Sequence, residues 1–205
     1  MTIVKRSRYE DTETGFVYRF RPIDGTVTVE KTKTGYEARY LIVDDEPENP
    51  FEDWDGNGAF SCWANGGDEL DTFCKLLGYN RDTREQTGEE HSDAVRIDKY
   101  EHGGIVYSVN NEGRNCRWDT SKNWAVWFPD DCLLGELKTL TEKKRREKVI
   151  EHARRACKLF NQWANGDVYC LVKETYNADK NPVDYDVVGG YYGIDYAMEA
   201  LKTEI

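Results

Sequence analysis

The 205-residue sequence is short of the features that most directly betray a function. No run approaches the roughly 18 apolar residues a membrane-spanning helix needs, so no membrane association is expected. The start, MTIVKRSRYEDTE, has no apolar core, which argues against a secretory signal. No C-x-x-C pair occurs, and Cys62, Cys74, Cys116, Cys132, Cys157 and Cys170 lie far apart. That spread fits reduced, mostly buried thiols in a cytoplasmic protein. Only three histidines are present, His91, His102 and His152, which argues against a structural zinc site of four clustered ligands. G-x-S-x-G, the P-loop, G-x-G-x-x-G and H-E-x-x-H are all missing. No cofactor is expected, and an enzymatic role has no signature to support it.

Hydrophobic residues make up 39% and charged residues 33%, a balance that supports a folded globular chain. Leu and Ile are comparatively few while aromatics reach 13%, so the core is expected to be built on rings. Buried indole N–H and phenol O–H groups need partners, which favours sheets over helix bundles. The length suits one α+β domain, 1–205, in which the N-terminal meander, 1–43, could form a separable subdomain. The expected architecture is a mostly antiparallel sheet with an aromatic core, one long amphipathic helix and two shorter helices.

Net charge is −11, which opposes spontaneous binding to nucleic-acid phosphates. The charge is unevenly spread. Between Asp44 and Glu101 there are 17 Asp/Glu against 5 Lys/Arg, whereas Lys138–Lys158 holds 9 basic against 3 acidic residues. An acidic surface of this kind serves solubility, or competes with nucleic acid for a basic partner.

Alternating apolar residues predict strands over Phe16–Arg21, Thr26–Lys31 and Tyr36–Val43, separated by the turns Pro22–Gly25 and Lys33–Gly35. The acidic loop DDEPENPFEDWDGNG follows, then a short strand at Phe60–Ala64. Leu70, Phe73 and Leu77 share a helix face over Glu69–Leu77, with Asp68 as the expected cap and Gly78 as the stop. Tyr100–Phe128 is the aromatic centre of the chain. It reads as one hairpin, Ile105–Val109 with Trp124–Phe128, closed by a loop containing Cys116-Arg117-Trp118-Asp119. Thr139-Leu140-Thr141-Glu142 has capping-box spacing. The long helix that follows carries an apolar stripe from Val149 to Ala164. Asp167–Lys173 and Asp184–Val188 read as strands, Gly189–Gly193 as a turn, and Ile194–Leu201 as a final helix.

Three constellations bear on chemistry. Asp53-x-Asp55-x-Asn57-Gly58 fits the first half of a calcium loop, in which alternate carboxylates point inward. The fit fails at the twelfth position, Ala64, where a bidentate glutamate belongs, so a solvated turn competes with a weak calcium site. His102, beside Gly103-Gly104, could act as a general base with Cys116 or Asp119, or simply bond a backbone carbonyl. Lys143, Lys144, Arg145, Arg146 and Arg154 line the polar face of the long helix. They serve either as a solvated face making i,i+4 pairs or as a contact for RNA, DNA or an acidic patch.

Several stretches resemble a poorly characterised family of phage, prophage and plasmid accessory proteins. They are Asn49-Pro50, Asp55–Gly58 and Cys62-Trp63; then Tyr100, His102, Gly104-Ile105, Cys116, Trp118-Asp119-Thr120 and the strand Trp124–Phe128; and finally Gly166–Tyr169 and Gly190–Gly193. The resemblance covers residues 49 to 200. It departs from the family pattern at Thr120, Ser121-Lys122 and Tyr191. It implies a mobile-element setting in a host cytoplasm, where such proteins counteract restriction or CRISPR systems. The expected function is therefore anti-CRISPR or antirestriction inhibition. A host defence nuclease, or its ribonucleoprotein complex, would be bound through Glu52, Asp53 and Asp55 acting as a nucleic-acid mimic. The alternative is a nucleic-acid-directed binder or nuclease that uses the basic helix 143–158, with His102 and Asp119 as outside catalytic candidates.

Overall fold

The computed structural model describes residues 8–52, 54–62 and 66–203. In chain order these form β1 (Tyr9–Asp11), β2 (Phe16–Tyr18), β3 (Thr28–Lys31), β4 (Gly35–Val43), β5 (Ala59–Cys62) and α1 (Gly67–Leu77). There follow β6 (Val95–Glu101), β7 (Ile105–Val109), β8 (Thr120–Phe128), α2 (Asp131–Leu137) and α3 (Glu142–Ala164). The chain closes with β9 (Val168–Asn177), β10 (Pro182–Tyr192) and α4 (Ile194–Thr203). Every strand pairing is antiparallel, which makes the fold α+β. Two compact units result. One combines the chain up to Glu48 with the chain from Gly166 onward, and the other is Asn49–Asn165.

The first unit is a sheet in the order β10-β9-β4-β3 with the β1–β2 hairpin beside its core. Residues paired across β4 and β9 share a face, and on one face these are Tyr40 with Val172 and Tyr36 with Tyr176. Phe16 and Tyr18 of β2 complete this layer. Phe16 meets Tyr176 edge-on at 5.0 Å, and Tyr18 meets Tyr40 at 5.3 Å, the geometry that ring quadrupoles favour. On the opposite face Leu41, Leu171 and Tyr191 pack against Ala197, Ala200 and Leu201 of α4. The meander expected from Phe16 to Val43 is instead two hairpins, because β2 pairs back onto β1. Thr26 fills the gap between them: its Oγ1 donates to Ile23 O and accepts from Leu41 N, so the turn satisfies β4 where a strand would have done so. Gly189 and Gly190 do not close a turn but lie within β10, at a bulge between Val188 and Tyr191.

The second unit holds the sheet β5-β8-β6-β7. Trp127 and Ala125 of β8, with Val95 and Ile97 of β6, face α2 and α3, where Leu133, Leu137, Val149 and Ala153 close the larger core. Val126, on the other face, joins Phe73 and Leu77 of α1. The expected single hairpin of β7 with β8 does not form, since β6 lies between them and pairs with both. What disguised β6 is Asp98, a charge in a central strand. It is buried at a bulge, where it accepts from Asn110 Nδ2 (2.8 Å), Asn111 N (2.9 Å), Lys122 Nζ (2.8 Å) and Asn123 N (2.9 Å). Asn111 and Asn123 both take positive φ, a conformation asparagine tolerates better than most residues.

Helix ends also depart from expectation. Gly66, not Asp68, is the N-cap of α1, and Asp68 lies in its first turn. The N-cap of α3 is Thr141, with no side-chain cap bond, so the box begun at Thr139 does not form: residue N3 becomes Lys144. The unexpected helix α2 is well capped, with Asp130 Oδ1 accepting from Leu133 N at 2.9 Å. At its far end α3 covers the edge strand β7. Asn161 accepts from Tyr107 N (2.7 Å) and donates to Tyr107 O (2.9 Å). Asn165 does the same with Ile105 N (3.1 Å) and Ile105 O (2.7 Å). Two carboxamides thereby stand in for the missing neighbour strand.

Candidate functional site

All the candidate site residues raised by the sequence fall within the Asn49–Asn165 unit. At one end of its sheet the turn after β6 meets the loop before β8. Glu101 N donates to Asp119 O at 2.9 Å, which draws His102 to Asp119. Cys116 Sγ donates to Asp119 Oδ2 at 3.1 Å, and His102 Nδ1 lies 3.7 Å from the same oxygen. The three predicted residues are therefore brought together, in an order unlike that of a nucleophilic site. A cysteine nucleophile needs an imidazole beside the thiol and the carboxylate behind the imidazole. Here the carboxylate stands between the other two, and the imidazole faces solvent. Cys116 N donates to Thr120 Oγ1, which itself donates to Arg114 O, so the cluster braces the loop. Trp118, in the loop before β8, is 84% exposed, with the Arg117 guanidinium over its ring at 5.2 Å.

The basic face of α3 is mostly engaged within its own unit. Arg145 forms a two-pronged pair with Asp93 (Nε to Oδ1, 2.8 Å), and Arg146 donates to Ser92 O (2.9 Å) and Ala94 O (2.8 Å). Arg154 grips Glu112 through two bonds of 2.7 and 2.6 Å. Lys148 and Arg155 share Glu151. The Arg145 guanidinium holds the Asp93 carboxyl below its ordinary range. Lys143, Lys144 and Arg146 are exposed and make no ion pair among the described residues, and of these Arg146 is held by two backbone carbonyls.

The acidic loop is organised around a carboxylate from elsewhere. Gly56 N (2.7 Å) and Gly58 N (3.0 Å) donate to Asp130 Oδ2. Burial opposes ionisation of Asp130, but the amides of Leu133, Gly58 and Gly56 outweigh it and hold the carboxyl low. Asn57 is committed as well: its Nδ2 donates to Pro50 O (2.8 Å) and its carbonyl accepts from Trp127 Nε1 (2.9 Å). Of the calcium candidates, Asp55 is exposed and Asp53 lies outside the described residues. Among the described residues no group of three or more His, Cys, Asp or Glu is arranged to hold a metal ion. Glu52 is exposed and accepts from Asn49 Nδ2 at 3.1 Å. Along α1 and the loop after it, Asp68, Asp82, Glu85 and Glu89 face solvent and make no ion pair among the described residues.

The most enclosed carboxylate among the described residues was not singled out from the sequence. Glu174, fully buried in β9, accepts from Tyr176 Oη (2.7 Å), Tyr40 Oη (2.9 Å) and Arg19 N (3.2 Å to each oxygen), with Arg19 Nε 3.5 Å away. Burial first, then Glu174 itself, pushes both tyrosine hydroxyls far above their ordinary range. One signal pointed to it: Glu174 sits between Val172 and Tyr176 at strand spacing, a charge on the apolar face. No known protein family, curated protein or solved structure matches this chain.

Proposed function

We propose that the protein is a non-enzymatic binder that occupies a basic, nucleic-acid-binding surface of another protein. The partner class is a host defence nuclease of CRISPR or restriction type, alone or as its ribonucleoprotein complex, in keeping with the mobile-element resemblance. One observation carries this reading: the arginines of α3 already have internal acceptors, while Asp55, Asp68, Asp82, Glu85 and Glu89 are exposed without ion pairs among the described residues. The charge left to a partner along the acidic loop, α1 and the segment after it is thus mainly negative, which favours a basic surface over phosphates. Exposed Trp54, within the acidic segment, supplies an aromatic anchor of the kind that dominates binding energy.

The test is capture from bacterial lysate on the immobilised full chain, with the bound proteins identified and then eluted by salt or by competing duplex DNA. A nucleic-acid-cleaving protein released by both would support the reading. A variant with Asp55, Asp68, Asp82, Glu85 and Glu89 changed to Asn or Gln should lose it. Undiminished capture by that variant would remove the mimicry. Direct gel shift of DNA or RNA by the wild type, lost on substituting Lys143 and Lys144, would favour the nucleic-acid-binding alternative.

A further inference from the structure

Strand β10 ends its sheet with eleven residues, and Val183 (66% exposed), Tyr185, Val187 and Val188 all face solvent. A long edge strand is a pairing site unless something blunts it: short length, charged side chains, an internal proline, a bulge or a covering element. Two other edges, β3 and β7, are blunted. β3, across the same sheet, has four residues and carries Glu30 and Lys31. β7 is closed by Asn161 and Asn165. β10 has no lysine, its one proline, Pro182, is at its first position, and its irregularities fall outside the regular stretch Asp184–Val188.

Successive N–H groups of a strand point to alternate edges. Tyr185 N and Val187 N do not serve the pairing with β9. They donate instead to Asp184 Oδ1 and Asp186 Oδ1, each at 2.9 Å. The outward amides are thus held by side chains of their own strand. Both aspartates are exposed and make no ion pair among the described residues, so an incoming cation can draw them away and leave the amides free.

We propose that β10 is the docking edge for an extended segment of a basic partner protein, added as a further antiparallel strand. That segment places Lys or Arg opposite Asp184 and Asp186, and apolar residues opposite Tyr185 and Val187. Charge opposes a second copy of the chain as occupant in its longer registers, except with Val187 opposite Val187, where the Gly189-Gly190 bulge meets Tyr185 and Asp184 instead. If Tyr185 and Val187 provide the bonded positions, pairing two β10 strands with Tyr185 opposite Val187 sets Asp186 against Asp186. The register with Tyr185 opposite Tyr185 sets Asp184 against Asp186 twice. Like charges directly opposite destabilise a sheet, and opposite charges stabilise it. This edge lies in the other unit from the acidic surface proposed above, so the two readings fail separately.

The probe is a labelled ten-residue peptide alternating Lys and Val, compared on the full chain with one alternating Glu and Val. The Lys peptide should bind at least about tenfold more tightly, corresponding to the charge pairs it gains. Hydrogen exchange at the amides of Tyr185 and Val187 should slow on binding. Val187→Pro removes a donor that the ladder with β9 does not use, so it should abolish that binding while leaving the unfolding midpoint nearly unchanged. Asp184→Asn with Asp186→Asn should erase the preference for Lys. The proposal is overturned if exchange at Tyr185 and Val187 is unaffected, if Val187→Pro binds as the wild type does, or if the peptide-free chain dimerises through β10 at neutral pH. Loss of peptide binding on neutralising the acids of the other unit would overturn it too.

Discussion

Replacing Glu174 tests the reasoning about the first unit most severely. Its carboxylate is the common acceptor for two buried tyrosine hydroxyls and the Arg19 amide. Glu174→Ala removes all of that acceptance at once. A buried donor left without a partner costs about 1–3 kcal/mol. Tyr176 Oη has a fallback in Val17 O at 3.4 Å, which lessens its share. Tyr40 Oη and Arg19 N have no comparable substitute among their described contacts, so two donors bear most of the loss. With the void left by the side chain, the expected cost is about 3–5 kcal/mol. Glu174→Gln keeps one acceptor oxygen at nearly the same volume and should cost about 1–2 kcal/mol. Adding Tyr40→Phe and Tyr176→Phe to the alanine variant removes the stranded hydroxyls and should recover part of the loss, which no simple packing defect would do. Urea unfolding followed by near-ultraviolet circular dichroism, with the slope checked for constancy, gives these differences. An alanine variant within about 1 kcal/mol of wild type would refute the shared-acceptor account. So would a glutamine variant as unstable as the alanine one.

Four further outcomes can be measured directly. Folding holds Tyr40 and Tyr176 protonated, so their stabilisation is present below about pH 10 and lost as pH rises beyond it; each can contribute a slope of up to about 1.4 kcal/mol per pH unit, read from urea midpoints in alkaline buffers. Asp93, held low by Arg145, and Asp98 and Asp130, held low by their donors against the opposing effect of burial, contribute stability that is full above about pH 4 and falls on acidification below it; flat acid-limb midpoints would contradict this. Gly58→Ala would set a Cβ 2.5 Å from Trp127 Cζ2 and 2.6 Å from Phe128 O at a φ of +71°, and should cost about 3 kcal/mol in thermal or urea unfolding. Among the thiols, exposed Cys132 should react with a disulfide reagent within the mixing time at pH 8, whereas Cys157, buried and pushed up to about 12, should wait for unfolding.

The α+β class and the spans of β4, β7, α1, α3 and α4 were legible because their apolar residues recur at strand or helix spacing. β6 was not, since Asp98 interrupts its pattern and only the tertiary fold supplies the four donors that make a charge tolerable there. Pairing of β7 with β8 was inferred from adjacency in sequence, which fails when a strand from upstream inserts between them. The charged face of α3 was visible as composition, yet its use was not. Whether Arg145 meets solvent or Asp93 depends on where a loop more than fifty residues away comes to rest. His102, Cys116 and Asp119 were rightly read as neighbours, but the order in which they touch is a matter of side-chain geometry that no spacing encodes.

The carboxamides on β7 make α3 a measuring rod. Four helical residues advance about 6 Å and two strand residues about 6.8 Å, so Asn161 and Asn165 fall almost in step with Tyr107 and Ile105. A helix held by its apolar stripe alone can slide or roll by small amounts with little loss. This one is tied at its far end to two addresses on the sheet, and at its near end to Asp93 and Ala94 through Arg145 and Arg146. The number of residues between the two fastenings is therefore fixed. One residue inserted between Arg146 and Asn161 would turn the distal amides about 100° away from β7, leaving bare an edge that nothing else on that helix is shaped to cover.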